Sequence, residues 1–384
     1  MIDAIALVLF FTAAALTGYV YFGYPVLIWL IARLRPRPVA KGSSTPPATL
    51  LIAVFNEEKV VGRKIESSLA LDYPRDRLEI LFVSDGSTDR TADIVRAAGS
   101  PNVRLIERPR AGKAAALNEG AKQARGEFLV FTDANVELAP DALRILASSF
   151  DDPEVGGVCG RKKFVVRRGA DTTEQGENLY WRWDQWQKEL ESRIGSVFAA
   201  DGSLFAIRRS LYVPIDDPAQ ADDIAISTRV VLQGFRLVFD ADAIALEDAP
   251  AEGKDEFRRK IRVTNHSVRA LLNLGRALWT SGFYSVELLS HKLVRHLVPF
   301  LLLLILASSA VLAVERPAFR IVLLIQVLFY GLAAAGAGLR RTAAGARRLF
   351  SVPYYFCLVN AAAFFGVVSI LRGRRVREWQ PRST

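Results

Sequence analysis

The sequence predicts an α/β domain, built on a doubly wound sheet of mainly parallel strands, inserted between one N-terminal and about three C-terminal transmembrane helices. Three observations carry this. Four long apolar stretches stand apart from a charged middle, the middle alternates short apolar runs with helical patterns, and those runs end in oxygen-bearing side chains. With 384 residues the chain is long enough for two or three structural units. Its 51% hydrophobic content beside 23% charged residues means that the apolar residues are segregated along the chain.

The first stretch, Ile5 to Ala32, carries no charge and exceeds the ~20 residues that a spanning helix needs. It is read as a transmembrane helix over residues 1–35. Asp3 precedes it with no basic residue, the run is longer than a signal-peptide core, and no small-x-small site stands before Arg33, so the reading is an uncleaved anchor. Arg33, Arg35, Arg37 and Lys41 follow directly and place the next segment in the cytoplasm by the positive-inside rule, with the N-terminus outward. Residues 36–48 are a Pro/Ser-rich linker within "RPRPVAKGSSTPP".

Residues 49–274 form the soluble domain. Its first half reads strand, helix, strand, helix, strand, helix, strand: "TLLIAVF", "EEKVVGRKIESSLAL", "LEILFVS", "STDRTADIVRAAG", "VRLIER", "GKAAALNEGAKQA", "EFLVFTD". Such alternation requires crossover helices and a parallel sheet. In sheets of that kind ligands bind beyond the carboxyl ends of the strands. There the sequence places Asn56-Glu57-Glu58, Asp85-Gly86-Ser87 and Asp133-Ala134-Asn135. Any one of these is explained as a helix N-cap. Three strand ends together point to a site.

Residues 275–292 read as an interfacial segment and 293–371 as a C-terminal membrane region, with apolar stretches at Leu293–Val314, Phe319–Leu339 and Val352–Leu371. His291, Lys292, Arg295 and His296 before the first of these, and Arg340, Arg341, Arg347 and Arg348 after the second, agree with a cytoplasmic middle. Residues 372–384 form a basic tail, and simple alternation would carry its Arg372, Arg374, Arg375 and Arg377 outside. The side of the C-terminus therefore stays open, one stretch being re-entrant or interfacial if the tail is inside.

The net charge of +10 comes from basic residues clustered beside the spans, where anionic lipid headgroups are the nearer partner. No zinc-finger, helix-turn-helix or RNP-like pattern supports nucleic acid. Two cysteines, Cys159 and Cys357, offer neither a disulfide framework nor a thiolate metal site. The three histidines, His266, His291 and His296, all lie near the spans and read as structural or interfacial.

Acidic groups beside a lysine are what a divalent cation and a nucleoside diphosphate need: hard oxygen ligands for the ion and a cation for the phosphate oxygens. Lys113 in "RAGKAAALNEG" stands at a helix start where unpaired amides favour anions. Taken singly it is equally a solvated lysine, and the Walker spacing is absent.

"VFNEE", "VSDGSTDRT", "GKAAALN" and "FTDAN", in this order and spacing, resemble the nucleotide-sugar domain of family 2 glycosyltransferases, of the Rossmann-like GT-A fold. The resemblance runs from Thr49 to Leu274. The flanking spans make the chain similar to the membrane-embedded members, such as cellulose, chitin, hyaluronan and poly-N-acetylglucosamine synthases. It implies that Asn56, Glu57 and Asp85 lie near the base and ribose, and that Lys113 approaches the diphosphate. Asp133 is then the first Asp of the Asp-x-Asp motif that binds Mg2+ or Mn2+, with Asn135, a neutral carbonyl donor, in place of the second.

"AQADDIAIS" resembles the segment carrying the general base, which assigns that role to Asp223 with Asp222 in the Glu position. An acidic pair at a helix N-terminus is the alternative. "VFAADGSLFAIRRS" corresponds to the floor of the acceptor site, with Asp201, Gly202 and Ser203 as its candidates, although Gly202 is also explained as a turn. "EFRRKIRVTNHS" is similar in position to the Gln-x-x-Arg-Trp motif: Arg259 falls at the Gln, Arg262 at the Arg that steadies the leaving diphosphate, and Val263 at the Trp. A basic amphipathic helix at the membrane surface is compatible with that reading. The missing Trp leaves processivity open.

The aromatic helix "ENLYWRWDQWQKELESRIG", with Tyr180, Trp181, Trp183 and Trp186, is expected against the membrane. The implied activity is inverting transfer of a sugar, from a UDP-sugar in the first instance, to a growing polysaccharide at a bacterial inner membrane. The protein would be multi-pass with its catalytic domain cytoplasmic. Expected partners are the nucleotide-sugar donor, a saccharide or lipid-linked acceptor, the bilayer and polysaccharide export components, with no nucleic acid. The alternatives are a transferase adding one sugar to a polyprenyl-phosphate-linked acceptor, and an inactive nucleotide-binding scaffold of a polysaccharide assembly.

Overall fold

The fold is that of a computed structural model, which describes residues 2–165, 172–248, 253–340, 342, 344–345 and 347–373, with the backbone alone for 172–178 and 253–256. Arg341 and the tail residues Arg374, Arg375 and Arg377 lie outside the described residues. The chain divides into two compact units. One comprises the described residues of Met1–Ile31, Val166–Gln187 and Ala249–Arg375; the other comprises Ala32–Val165 and Lys188–Asp248.

In the first unit four helices are long and apolar enough to cross a membrane: α1 (Ile2–Leu34), followed later in the chain by Phe283–Leu312, Pro317–Gly338 and Arg348–Leu371. One N-terminal and three C-terminal helices were expected, and this number is found. The α1 helix widens into a π turn over Tyr19–Gly23, immediately ahead of Pro25, whose ring clashes with the carbonyl one turn back and whose nitrogen has no hydrogen to donate. Phe283–Leu312 starts some ten residues ahead of the expected Leu293, so the supposed interfacial segment contributes His291 and Lys292 to a continuous helix.

The second unit is an eight-stranded sheet. Its strands are β1 (Ala48–Val54), β2 (Leu78–Asp85), β3 (Val103–Arg108), β4 (Phe128–Phe131), β5 (Val136–Leu138), β6 (Val155–Val165), β7 (Phe205–Arg208) and β8 (Arg236–Asp248), in the order β3-β2-β1-β4-β7-β6-β8-β5. The first four pair in parallel, as the alternation of strand and helix requires. Beyond β4, where the sequence shows no such alternation, the sheet is mixed: β7 is antiparallel to both β4 and β6, β8 is parallel to β6, and β5 is antiparallel to β8. No crossover helix separates β4 from β5, so that short connection cannot return the chain to a parallel neighbour.

All seven residues of β1 are buried, which fits a central strand covered on both faces. Leu50, Ile52 and Val54 face a core with α2 (Val61–Leu69), α3 (Thr91–Arg96) and α5 (Ala142–Ser148). Leu51 and Ala53 face a second core with α4 (Lys113–Gln123) and α7 (Asp222–Leu232). Gly120 brings α4 close to the sheet: a Cβ there would stand 2.3 Å from a Leu51 methyl. Between β6 and β7 runs α6 (Thr172–Ile194), shared between the two units at Gln187.

Within the first unit, α8 (Gly253–Asn273), which follows β8, packs on α11 (Arg348–Leu371), with α9 (Phe283–Leu312) and α10 (Pro317–Gly338) between them in sequence. A Cβ on Gly366 of α11 would lie 2.7 Å from Thr264 Cβ and 3.1 Å from the Ile261 carbonyl, so only glycine permits this approach. The aromatic helix α6 gives this unit Tyr180 and Trp183, whose rings stack on the Arg295 guanidinium, while Asp184 accepts from Arg295 at 3.4 Å.

Candidate active site

The parallel strands deliver their carboxyl ends to one rim of the sheet, where the chain must turn and where side chains meet solvent. Antiparallel β7 enters from the same rim. Its pairing of Phe205 with Phe131 places Ser203 beside Thr132, and the Thr132 hydroxyl donates to the Ser203 carbonyl at 2.9 Å. The two segments read from sequence as a metal turn and an acceptor loop are thus neighbours for a topological reason.

Lys113, at the start of α4, is the hub of this rim. Its ammonium lies 2.8 Å from Asp133 Oδ1 and 3.0 Å from Asp222 Oδ2, tying the end of β4 to the start of α7. Burial alone would push its pKa down, but the two carboxylates outweigh this and raise it. The charge is permanent at any physiological pH. The helix start places this cation where phosphate oxygens also find unpaired amides.

Asp223 sits behind this pair. Its Oδ2 accepts from the Gly202 amide at 3.1 Å and its Oδ1 from the Ile224 amide at 2.8 Å. Burial and the negative charges of Asp222 and Asp201 push its pKa up to about 6, against the pull of the Ile224 amide and Lys113. It is therefore a carboxylate at neutral pH whose basicity exceeds that of an ordinary aspartate. This suits a proton acceptor.

Asp201 differs. Burial would raise it, but Lys162 and Lys188 and the bonds from Ser203 hold it well below the usual carboxylate range. Lys162 spans Asp201 at 3.2 Å and buried Glu247 at 3.0 Å, while the Ser203 hydroxyl donates to Asp201 at 2.6 Å. Asp201 is an anchor of its loop with no proton to exchange near neutrality.

On the other side of the rim, Asp85 has no exposed surface and accepts four bonds: from Arg108 at 2.7 Å, Arg110 at 2.8 Å, the Ala111 amide at 3.0 Å and the Gly112 amide at 2.7 Å. Its carboxylate shapes the loop that leads into Lys113. Sequence reasoning missed both arginines; their signal was the "ERPRAGK" spacing that closes β3 and leads into α4. Arg110 also stacks on Phe55 at 3.4 Å.

Asn56 adopts φ +53°, the left-handed region that asparagine tolerates better than most residues. Its Oδ1 accepts from the Thr88 amide at 2.8 Å, and the Glu57 amide donates to Thr91 Oγ1 at 2.8 Å. Asn56 and Glu57 are thus bonded to the 88–91 segment that follows β2, while Asp85, the last residue of β2, is bonded to the loop that follows β3.

Asp133 and Asn135 lie within the turn between β4 and β5, both partly exposed. One carboxylate and one amide carbonyl are hard oxygen donors, which fits a Mg2+ or Mn2+ that completes its shell from diphosphate oxygens and water. Among the described residues no group of three His, Cys, Asp or Glu side chains could hold a metal by itself. Arg259 and Arg262 lie on α8, in the other unit.

Residues 49–213 match the family described as glycosyl transferase family 2. That segment contains Asn56, Glu57, Asp85, Lys113, Asp133, Asn135 and the 201–203 loop, and ends before Asp222 and Asp223. YdaM of Bacillus subtilis, a probable glycosyltransferase, is 31% identical over 234 residues, covering 56% of this chain and 54% of its own. A poly-β-1,6-N-acetyl-D-glucosamine synthase of Staphylococcus aureus is 26% identical over 224 residues, covering 56% of this chain and 53% of its own. The matches thus cover about half the length of the curated relatives. Among solved structures, the mannosyltransferase PcManGT from Pyrobaculum calidifontis, in complex with GDP-Man and Mn2+, superposes with a TM-score of 0.71 and 25% identity over 97% of this chain and 100% of that one.

Proposed function

The chain carries a family 2 glycosyltransferase domain of GT-A type, and from this we propose that it is a membrane-bound, inverting hexosyltransferase that moves a sugar from a nucleotide-sugar to a growing polysaccharide. The observation that carries the proposal is the pairing of Asp223, raised to about 6, with the Lys113–Asp133–Asp222 cluster beside it. A base and a phosphate-binding cation are what a displacement at the anomeric carbon requires. Asp223 takes the proton from the acceptor hydroxyl, the hydroxyl oxygen forms the new bond to the anomeric carbon, and the nucleoside diphosphate departs with the electron pair of the broken bond.

Lys113 offsets negative charge on the departing diphosphate. A divalent ion held by Asp133 and the Asn135 carbonyl would supply further neutralisation of that charge. Asn56, Glu57 and Asp85, at the ends of β1 and β2, are the residues that would support the nucleoside. The family's leaving-group arginine falls on Arg262 by motif position. The four apolar helices, with the basic residues at 33–41, support an inner-membrane protein whose sheet domain is cytoplasmic.

A second reading, single addition to a polyprenyl-phosphate-linked acceptor, is favoured by one observation: Val263 stands where the processive motif has Trp. The likeness to a mannosyltransferase in complex with GDP-Man brings a GDP-linked donor beside the expected UDP-linked one.

The test is a donor screen in membranes with Mg2+ or Mn2+, following nucleoside diphosphate release and product length. A ladder of long polymers sinks the single-addition reading, and one addition per acceptor sinks polymer synthesis. No turnover with any donor in wild type removes the enzyme reading and supports a nucleotide-binding scaffold.

A further inference from the structure

Lys64 is an ionisable residue where the sheet domain has its apolar core. It lies on α2 and is 1% exposed. Its ammonium donates to the Val136 carbonyl at 2.5 Å and to Thr132 Oγ1 at 3.2 Å, two neutral oxygens at the two ends of the turn that carries Asp133 and Asn135. Sequence reading counted it only as part of a helical pattern. Burial of an ammonium group costs several kcal/mol unless its bonds offset it, so an apolar side chain would serve the core better.

The bonds continue beyond Lys64. The Thr132 hydroxyl donates to the Ser203 carbonyl at 2.9 Å. Gly202, the preceding residue, donates its amide to Asp223 at 3.1 Å. Lys64, Thr132, Val136 and Ser203 are all buried, so solvent does not readily replace these partners. A path of hydrogen bonds, carried through the backbone of Ser203 and Gly202, thus runs from α2, under the Asp133 turn, to the carboxylate of Asp223.

We propose that Lys64 is a positioning residue: acting through Thr132, it fixes the Asp133 turn against the Asp201–Ser203 loop and so sets where Asp223 stands relative to Asp133. Lys64 itself touches neither donor nor acceptor. The inference rests on the roles given above to Asp133 and Asp223, and it adds what holds them in register. Geometry of this kind is worth a great deal in a displacement reaction, since misplacement by about 1 Å can cost roughly a hundredfold in rate.

The experiment compares wild type with Lys64→Met, Thr132→Val and Thr132→Ser, each as the full chain in lipid nanodiscs. Two quantities are read: hydrogen exchange at 132–136 and 201–204 against the amides of β1, and the steady-state kinetics of sugar transfer. Lys64→Met and Thr132→Val are expected to raise exchange in both segments together. They lower kcat about tenfold or more while the donor KM stays within about threefold. Thr132→Ser, which keeps the hydroxyl, restores both. Exchange that rises at 132–136 alone, or a Thr132→Val enzyme with wild-type kcat, overturns the proposal. Thr132→Val decides the matter even if Lys64→Met fails to fold. If wild type turns over no donor, the transferase reading falls, while the exchange data still decide whether the two segments are coupled.

Discussion

Gly202 and Asp223 are joined by one hydrogen bond, from the amide to Oδ2 at 3.1 Å, which fixes one carboxylate oxygen while burial and neighbouring charge raise the group's pKa to about 6. The sign of the resulting pH dependence follows directly. Below about pH 6 the group is protonated and cannot accept a proton. The rate of transfer should therefore fall about tenfold per pH unit on the acid side of that value and level off above it. A pH–rate profile with an acid limb near pH 4 would remove Asp223 from the role of base.

Asp223→Asn keeps the shape and loses the basicity. Transfer should fall by about a hundredfold or more, while binding of the nucleoside diphosphate, measured by calorimetry, should be close to that of wild type.

Lys113→Met releases Asp133 and Asp222 from their shared cation, leaving two carboxylates where phosphate has to come. Affinity for the nucleoside diphosphate should weaken by roughly tenfold or more, because the lost charge pairs are partly buried. Unchanged affinity would show that the ammonium serves only the fold.

Asn135→Asp restores a second carboxylate to the turn. The Mn2+ concentration giving half-maximal turnover should drop by roughly three- to tenfold, since affinity for hard cations is tuned by ligand charge. No shift in the metal titration means that the side chain at 135 does not reach the ion.

Asp85→Ala leaves Arg108 and Arg110 facing each other without the carboxylate between them. A loss of about 3 kcal/mol or more is expected for such a broken buried pair, read as a lowered midpoint of thermal unfolding. Arg110→Ala, which leaves the anion with three donors, should cost less.

The reach of sequence reasoning was set by locality. The parallel half of the sheet was legible because each strand of β1 to β4 is separated from the next by a helix-length segment, leaving a parallel neighbour as the natural outcome. The antiparallel half was not, because β5 pairs with β8 and β6 with β8 across long stretches that no local pattern records. In the site, the residues at strand ends were legible by position. Their partners were not: Arg108, Lys162 and Lys64 belong to runs that look like ordinary surface helix or strand, Arg110 to a loop, and only the tertiary fold brings them onto their partners.

The pairing of β5 with β8 has a consequence for how the protein is made. Val136 to Leu138 register against Ala245 to Glu247, about a hundred residues further along the chain. On the ribosome, the turn bearing Asp133 and Asn135 emerges long before the strand that closes its far side. The nascent domain must wait with β5 unpaired until β8 is synthesised. Polypeptides ending ahead of residue 236 should then be recognised by chaperones and proteases as incomplete, whereas those released after 248 should be able to close the sheet.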